Sequence, residues 1–190
     1  MRKEEIRKIY LQKRLSLSEG EYAQLNFQLY QMFFSSIDLS PVKILHTFLP
    51  LAKNNEPDTW LIIDRIRREF PHIRISLPKV NAKTSTLENY FFEGLHQLGQ
   101  NRWGIPEPKQ GLETNPAQID MILIPLIAFD DNGHRVGYGK GFYDKFLPLC
   151  RPDCKRIGIS LFEPIEKIDD VTPHDVRLHA CVTSSNFYSF

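Results

Sequence analysis

The sequence predicts an α/β domain, with a mostly parallel central sheet between layers of helix. Three observations predict it. Past Pro41, short apolar runs of strand length alternate with a helix-like segment, as in strand–helix–strand units. A charged helical region stands in front of them. A glycine-rich loop, Arg135–Asp144, follows the apolar run Met121–Phe129 after a short polar connection. Ligands in such sheets collect beyond the carboxyl ends of the strands, so the loop lies where a site is expected. The length of 190 residues suits one domain with its own core, and no internal repeat divides it.

In chain order, Ile6, Ile9, Tyr10 and Leu17 recur at helical spacing within charged sequence. Ser18-Glu19-Gly20-Glu21 has the form of a capping box and opens a second helix through Tyr22, Leu25, Leu29, Met32 and Phe33. Residues 43–49 read as a strand. Residues 57–70 read as a helix with Pro57 in its first turn. Residues 73–77 and 87–93 read as strands. The run 121–129 carries Pro125 inside it, which predicts a strand that is bent or at a sheet edge. Asp131-Asn132-Gly133 predicts a tight turn after it. Residues 156–162 and 178–183 supply the remaining strands.

The charge balance, 24 Lys and Arg against 23 Asp and Glu, gives a net +1 and no bulk field for nucleic acid or a membrane surface. Cys150, Cys154 and Cys181 do not form a disulfide framework. The first two lack the second Cys/His pair of a zinc site and read as reduced thiols. The first residues carry no apolar secretory segment, and no run has transmembrane length. A cytoplasmic protein acting on small molecules, a monomer or a weak homo-oligomer, is expected.

Gly137, Gly139 and Gly141 alternate around Lys140 in Arg135-Val136-Gly137-Tyr138-Gly139-Lys140-Gly141-Phe142-Tyr143-Asp144. Glycines permit positive φ and close backbone approach, and successive N–H groups can then form an anion-binding nest. Lys140 adds a mobile cation. The loop is not a Walker loop, because Gly141 follows the lysine, and it lacks the dinucleotide spacing. A surface turn is the plain alternative. The sequence after it opens a helix, whose N-terminus also attracts phosphate. Asp144 either caps that helix or holds a cation.

Lys3, Arg7 and Arg14, four and seven residues apart, fall on one stripe of the first helix. The stripe is either a solvated face or a clamp on the distal phosphates of a nucleotide. Glu56 either accepts hydrogen bonds from an amino-pyrimidine ring or places a charge at a helix start. Trp103, in Trp103-Gly104-Ile105-Pro106-Glu107-Pro108, either stacks on a flat heterocycle or fills the core. The six histidines show no metal spacing, and no nucleophile–histidine–acid triad can be assembled.

Taken together, these segments resemble the 5-formyltetrahydrofolate cyclo-ligase family. The resemblance runs from Lys3-Glu4-Glu5-Ile6-Arg7 to the final strand. It is most specific in Ile124-Pro125-Leu126-Ile127-Ala128-Phe129-Asp130 and the glycine loop, with Trp103–Pro108 as a second match. It implies a Rossmann-like fold of the CoA-transferase type. It also implies Mg²⁺-dependent conversion of 5-formyltetrahydrofolate and ATP into 5,10-methenyltetrahydrofolate, ADP and phosphate. By that resemblance Lys3, Glu4, Glu5, Ile6 and Arg7 bind ATP together with Arg135, Val136, Gly137, Tyr138, Gly139, Lys140, Gly141, Phe142 and Tyr143. Lys140, Arg7 and Tyr143 carry the chemistry. Leu51, Glu56, Trp103 and Tyr143 meet the folate, and Asp144 and Asp175 attend the magnesium. The family commonly has arginine where this chain has Tyr138, which shifts one phosphate contact to Lys140 or Arg135. Two other functions share the loop: a different ATP-using ligase or kinase, and a non-catalytic nucleotide- or folate-binding relative. A relative of the latter kind is expected to lose one of Lys3, Arg7, Lys140 and Asp144, and all four are present.

Overall fold

Two helices precede the sheet in the computed structural model, which describes residues 1–102 and 104–190. Helix α1 (Lys3–Leu15) places Glu4 and Glu5 in its first turn and Lys13 and Arg14 in its last, matching the helix dipole. The Glu5 carboxylate accepts from the Arg2 N–H at 3.1 Å and closes the N-terminus. Helix α2 (Glu19–Ser36) opens on the expected capping box: Ser18 N–H donates to Glu21 Oε2 at 2.8 Å, and Glu21 N–H donates to Ser18 Oγ at 3.3 Å.

Strand β1 (Ile44–His46) leads to helix α3 (Trp60–Glu69). Strand β2 (Arg74–Asn81) turns back as β3 (Thr86–Phe91), and β4 (Leu98–Gln100) pairs with β5 (Pro106–Pro108) in a small separate hairpin. Strand β6 (Met121–Pro125) is followed by β7 (Ala128–Phe129) and β8 (Arg135–Val136). A single-turn helix α4 (Phe142–Phe146), strands β9 (Lys155–Ile159) and β10 (Ala180–Val182), and β11 (Phe187–Ser189) complete the order.

One seven-stranded sheet runs in the order β11-β10-β9-β6-β1-β2-β3. The neighbours from β10 through β2 are parallel, and the two edge strands, β11 and β3, are antiparallel. The predicted α/β fold with a mostly parallel sheet is the fold observed. Successive residues of a strand face opposite sides, and a strand buried on both sides reads as unbroken apolar sequence. Strand β6 does so: Met121 and Leu123 join Leu29, Phe33, Ile62 and Ile66 of α2 and α3 on one face. Ile122 and Ile124 join Phe129, Phe146 and Leu147 on the other.

Several elements differ from the sequence-based expectation, among them β4, β5 and β8, which it did not include, and three of the differences have a plain cause or place. Helix α3 begins at Trp60 rather than Pro57, because the Asp58 carboxylate accepts from the Trp60 N–H at 3.1 Å and makes the turn that starts it. The run 121–129 bends at Pro125, but β6 lies in the middle of the sheet, between β1 and β9, not at an edge. Pro125 is tolerated there because it is the last paired residue, after which the chain leaves the sheet. The departing segment forms the β7–β8 hairpin. Its turn has Gly133 at φ 77° and is held by the buried Asp130 carboxylate, which accepts from the N–H groups of Asn132 and His134. The third difference is β11, a strand beyond the last one expected.

Helix α1 does not pack on the main sheet. Its fully buried Ile6 joins Ala128, Val136, Ile165 and Ile168 in a cluster against the β7–β8 hairpin. Burying such a side chain is worth about 1.5–3 kcal/mol. This seat brings the first helix to the glycine loop.

Candidate functional site

The loop Gly137–Gly141 leaves the β7–β8 hairpin at Val136, a core residue, and enters α4 at Phe142. Gly139 and Gly141 have φ of 84° and 68°, which a residue with a Cβ rarely adopts. A Cβ on Gly139 would lie 3.3 Å from the Arg7 guanidinium carbon, so glycine there also admits the α1 side chain. Helix α4 is only five residues long. Its dipole is correspondingly small and would add little to the attraction of an anion.

Helix α1 supplies the opposite wall. Arg7 Nε donates to the Gly137 carbonyl at 2.7 Å, and Lys3 Nζ pairs with Asp175 Oδ2 at 2.5 Å. The stripe predicted on α1 is therefore not a solvated face. Arg14, its third member, does not reach the cleft; it lies 2% exposed beneath the loop, donating to the Leu126 carbonyl at 2.6 Å. Glu4 and Glu5 are exposed and do not line the cleft, while Ile6 and Val136 are core residues that hold its walls.

Between these walls opens a cleft of about 540 Å³. Lys3, Arg7, Arg135, Lys140, Asp144 and Asp175 line one part of it, and Leu51, Glu56 and Tyr143 another. Phe142 and the three glycines also face it. Apolar lining comes from Phe48 and Leu49 after β1, from Pro78, Val80 and Leu87 of the β2–β3 hairpin, and from Ile105 and Pro106 near β5. Ile105 and Pro106 belong to the segment 103–108 singled out in the sequence, whereas no motif marks Phe48, Leu49, Pro78, Val80 or Leu87. Trp103, expected at the substrate, lies outside the described residues, though its neighbours Arg102 and Ile105 line the cleft.

Glu56 is buried, and its carboxylate turns back to accept from the Leu51 N–H at 2.7 Å. It does not sit at a helix start. Burial raises its pKa, partly opposed by the Tyr138 hydroxyl, the Leu51 N–H and the Arg14 charge. Helix α2 fixes its backbone, through the Tyr22 hydroxyl, which donates to the Glu56 carbonyl at 2.6 Å. Tyr143 is half-buried with its hydroxyl enclosed: burial pushes its pKa far up, and the hydroxyl has no hydrogen-bond partner among the described residues. It is thus a protonated donor awaiting an acceptor.

Asp144 does not cap α4, whose N-cap is Gly141. Its Oδ1 accepts from Arg135 at 2.7 Å and from the Val176 N–H at 3.2 Å. Asp175 likewise uses one oxygen, Oδ2, for Lys3 and for the Thr172 N–H. Burial alone would raise the Asp175 pKa, but Lys3 and Thr172 together bring it below the ordinary carboxylate value. Each acid thus bonds within the protein through a single oxygen.

A glycine loop bonded to a basic helix stripe, with a buried acid lining the same cleft, invites comparison with known proteins. Residues 1–184 match the family model described as the 5-formyltetrahydrofolate cyclo-ligase family. The chain belongs to that family. It is 28% identical over 186 residues to the 5-formyltetrahydrofolate cyclo-ligase of Mycoplasma genitalium, covering 94% of this chain and 97% of that one. It is 30% identical over 183 residues to the corresponding protein of Mycoplasma pneumoniae, covering 94% and 96%. Among solved structures, the NMR structure of Aquifex aeolicus 5,10-methenyltetrahydrofolate synthetase superposes with a TM-score of 0.84 at 29% identity, over 100% of this chain and 93% of that one. As a cyclo-ligase family member the protein is a ligase of folate one-carbon chemistry.

No group of three His, Cys, Asp or Glu side chains forms an all-protein metal cage among the described residues. A magnesium ion does not need one, since it commonly takes one or two carboxylates and completes its shell with water and substrate phosphates. The second oxygens of Asp144 and Asp175, at the basic part of the cleft, fit that requirement. No helix among the described residues is long and apolar enough to cross a membrane.

Proposed function

We propose that the cleft converts 5-formyltetrahydrofolate to 5,10-methenyltetrahydrofolate at the expense of ATP, releasing ADP and phosphate. The observation that carries this reading is the meeting of Arg7 and the glycine loop over one cleft that also contains Lys140 and Glu56. Two basic segments distant in sequence, facing one cavity, suit a triphosphate. The apolar walls and the buried acid suit a folded-over pterin.

The formyl group on N5 is an amide, and its oxygen is a poor leaving group. The γ-phosphoryl of ATP passes to that oxygen: the bond to ADP breaks and a new O–P bond forms. The neighbouring bridge nitrogen then attacks the activated carbon, the ring closes, the carbon–oxygen bond breaks with loss of phosphate, and the proton of the bridge nitrogen leaves to the released phosphate or to water. Phosphoryl transfer of this kind needs positioning and charge neutralisation rather than a protein nucleophile, so the absence of a triad is no obstacle. Lys140 and Arg7 neutralise charge on the transferring group, and the loop N–H groups act as preorganised donors. Glu56 orients the pterin through its amino-pyrimidine edge, and Tyr143 donates its unpartnered hydroxyl at the junction of the two ligands. Asp144 and Asp175 would hold magnesium, which when bound neutralises phosphate charge. Lys3 keeps Asp175 ionised and in place.

Incubation of the protein with 5-formyltetrahydrofolate and Mg²⁺, with and without ATP, tests the reading. ATP-dependent growth of methenyl absorbance in the near ultraviolet is expected. No product at any ATP concentration rejects it.

A further inference from the structure

The connection from β9 to β10, residues 160–179, contains no helix and no strand beyond an isolated bridge at Ile165. Irregular segments of that length are uncommon inside a compact domain unless they serve a site. This one is bonded in turn to each piece that builds the basic part of the cleft. At its start, the Ile165 N–H donates to the Phe129 carbonyl at 2.8 Å, and Ile165 and Ile168 close the apolar cluster around Ile6 of α1. In its middle, Asp170 Oδ1 accepts from the Lys3 N–H at 2.8 Å, a first-turn amide of α1 that has no helical acceptor. Further on, Asp175 pairs with the Lys3 ammonium, and the Val176 carbonyl accepts from Arg135. The Val176 N–H donates to Asp144 Oδ1 at 3.2 Å. The segment is a strap across α1, the β7–β8 hairpin and α4.

Asp130 fixes the near end of this strap. It is fully buried, and a buried carboxylate is costly unless hydrogen bonds compensate it. Each of its oxygens serves a different piece of chain. Oδ1 accepts from the N–H groups of Asn132 and His134, at 3.0 and 2.9 Å, and closes the hairpin turn. Oδ2 accepts from the Ile168 N–H at 3.1 Å, with His134 Nδ1 3.3 Å away. The turn by itself asks for one acceptor oxygen, which asparagine would supply. The second oxygen binds the strap.

On the proposed reading of the cleft, we infer that Asp130 and Asp170 are positioning residues for the nucleotide part of the site: they pin the strap, and the pinned strap sets Lys3, Asp175, Arg135 and Asp144. Neither lines the cleft, so each acts only through those side chains. Glu56, in the folate part, is held by Leu51 and Tyr22 instead, so that part is spared when the strap is released.

The test uses two variants, each checked by circular dichroism and thermal melting. Asp130→Asn keeps an oxygen for the turn and sets its NH₂ group against the Ile168 N–H, so the strap loses its acceptor. Asp170→Ala frees the Lys3 N–H and leaves the buried turn untouched, which keeps the inference open to test should Asp130→Asn fail to fold. In each, the KM for ATP and the Mg²⁺ concentration for half-maximal rate are expected to rise roughly tenfold, the scale of one lost hydrogen bond to a charged group, while the KM for 5-formyltetrahydrofolate changes less than about twofold. A folded variant with an unchanged KM for ATP, or with equal changes in both KM values, overturns the inference. A second measurement needs no ligand and no turnover. Amide hydrogen exchange is followed by NMR in the free protein. The Lys3 amide is expected to lose protection in Asp130→Asn, although Asp130 does not bond to it, while Ile157 and Ile159 of β9 exchange as in the unaltered protein. A Lys3 amide that keeps its protection there, or an equal loss at β9, overturns the strap. A protein that fails to convert folate would reject the proposed function, and the exchange would still decide on the strap.

Discussion

Arg7 and Gly137 meet across the cleft, with the guanidinium Nε donating to the glycine carbonyl at 2.7 Å although 130 residues separate them in the chain. That contact places a fixed cation at the base of the loop while leaving Lys140, which is exposed, as the mobile one. On the proposed reading the two would have different parts in binding the triphosphate, and variants at the two positions should behave differently.

Lys140→Ala is expected to lower turnover roughly 100-fold, the scale of losing one preorganised charge donor, with melting unchanged because the side chain is exposed. Steady-state assays beside a melting curve check it. Unchanged turnover in the folded variant rejects the role.

Arg7→Ala is expected to raise the KM for ATP and also to lower the melting temperature, since it frees the Gly137 carbonyl and loosens the loop. Loss of a hydrogen bond from a charged group costs about 1.5–3 kcal/mol. Chemical denaturation with and without an ATP analogue separates the two effects.

Asp144→Asn is expected to raise the Mg²⁺ concentration needed for half-maximal rate. A magnesium titration identical to that of the unaltered protein would confine Asp144 to its pairing with Arg135.

Glu56→Gln is expected to weaken folate binding far more than ATP binding while leaving stability equal or higher, because burial disfavours the charge that the substitution removes. Equal loss of both ligands would make Glu56 structural. Isothermal titration with each ligand and a melting curve decide.

His46 gives a pH dependence of stability. It is fully buried in β1, its Nε2 is 2.9 Å from Asn89 Oδ1, and burial lowers its pKa to about 4. The unfolded chain takes up a proton near the ordinary histidine value of about 6.5, while the folded chain does not. The stabilisation is therefore fully present above that value and is lost as pH falls toward about 4, by roughly 3 kcal/mol in all. Urea denaturation from pH 7 to 4 should show this decline, and a variant lacking the imidazole should show a flatter one.

The alternation of apolar runs made the parallel sheet legible, and the glycine spacing made the loop legible, because both are local patterns. What lay beyond the sequence was pairing at a distance. Lys3, Arg7 and Arg14 share a stripe, yet only the docking of Ile6 on the β7–β8 hairpin decides that this stripe faces inward. Nor does the stripe show that its third member turns under the loop to Leu126 and Tyr138. Pro125 announced a bend correctly, but a proline at the last paired position of a central strand looks in sequence like one at an edge. The apolar lining from β2 and β3 carried no mark of function, since a strand face toward a ligand and one toward a core use the same residues.

The seat of α1 has a consequence for biosynthesis. Lys3 bonds to Asp175, 172 positions further on. During translation the first helix leaves the ribosome long before its anchors exist, and domains assemble only when their parts have emerged. The amphipathic first helix must wait, undocked, until the chain has been made through Asp175, so the cleft wall that it supplies cannot be completed before then.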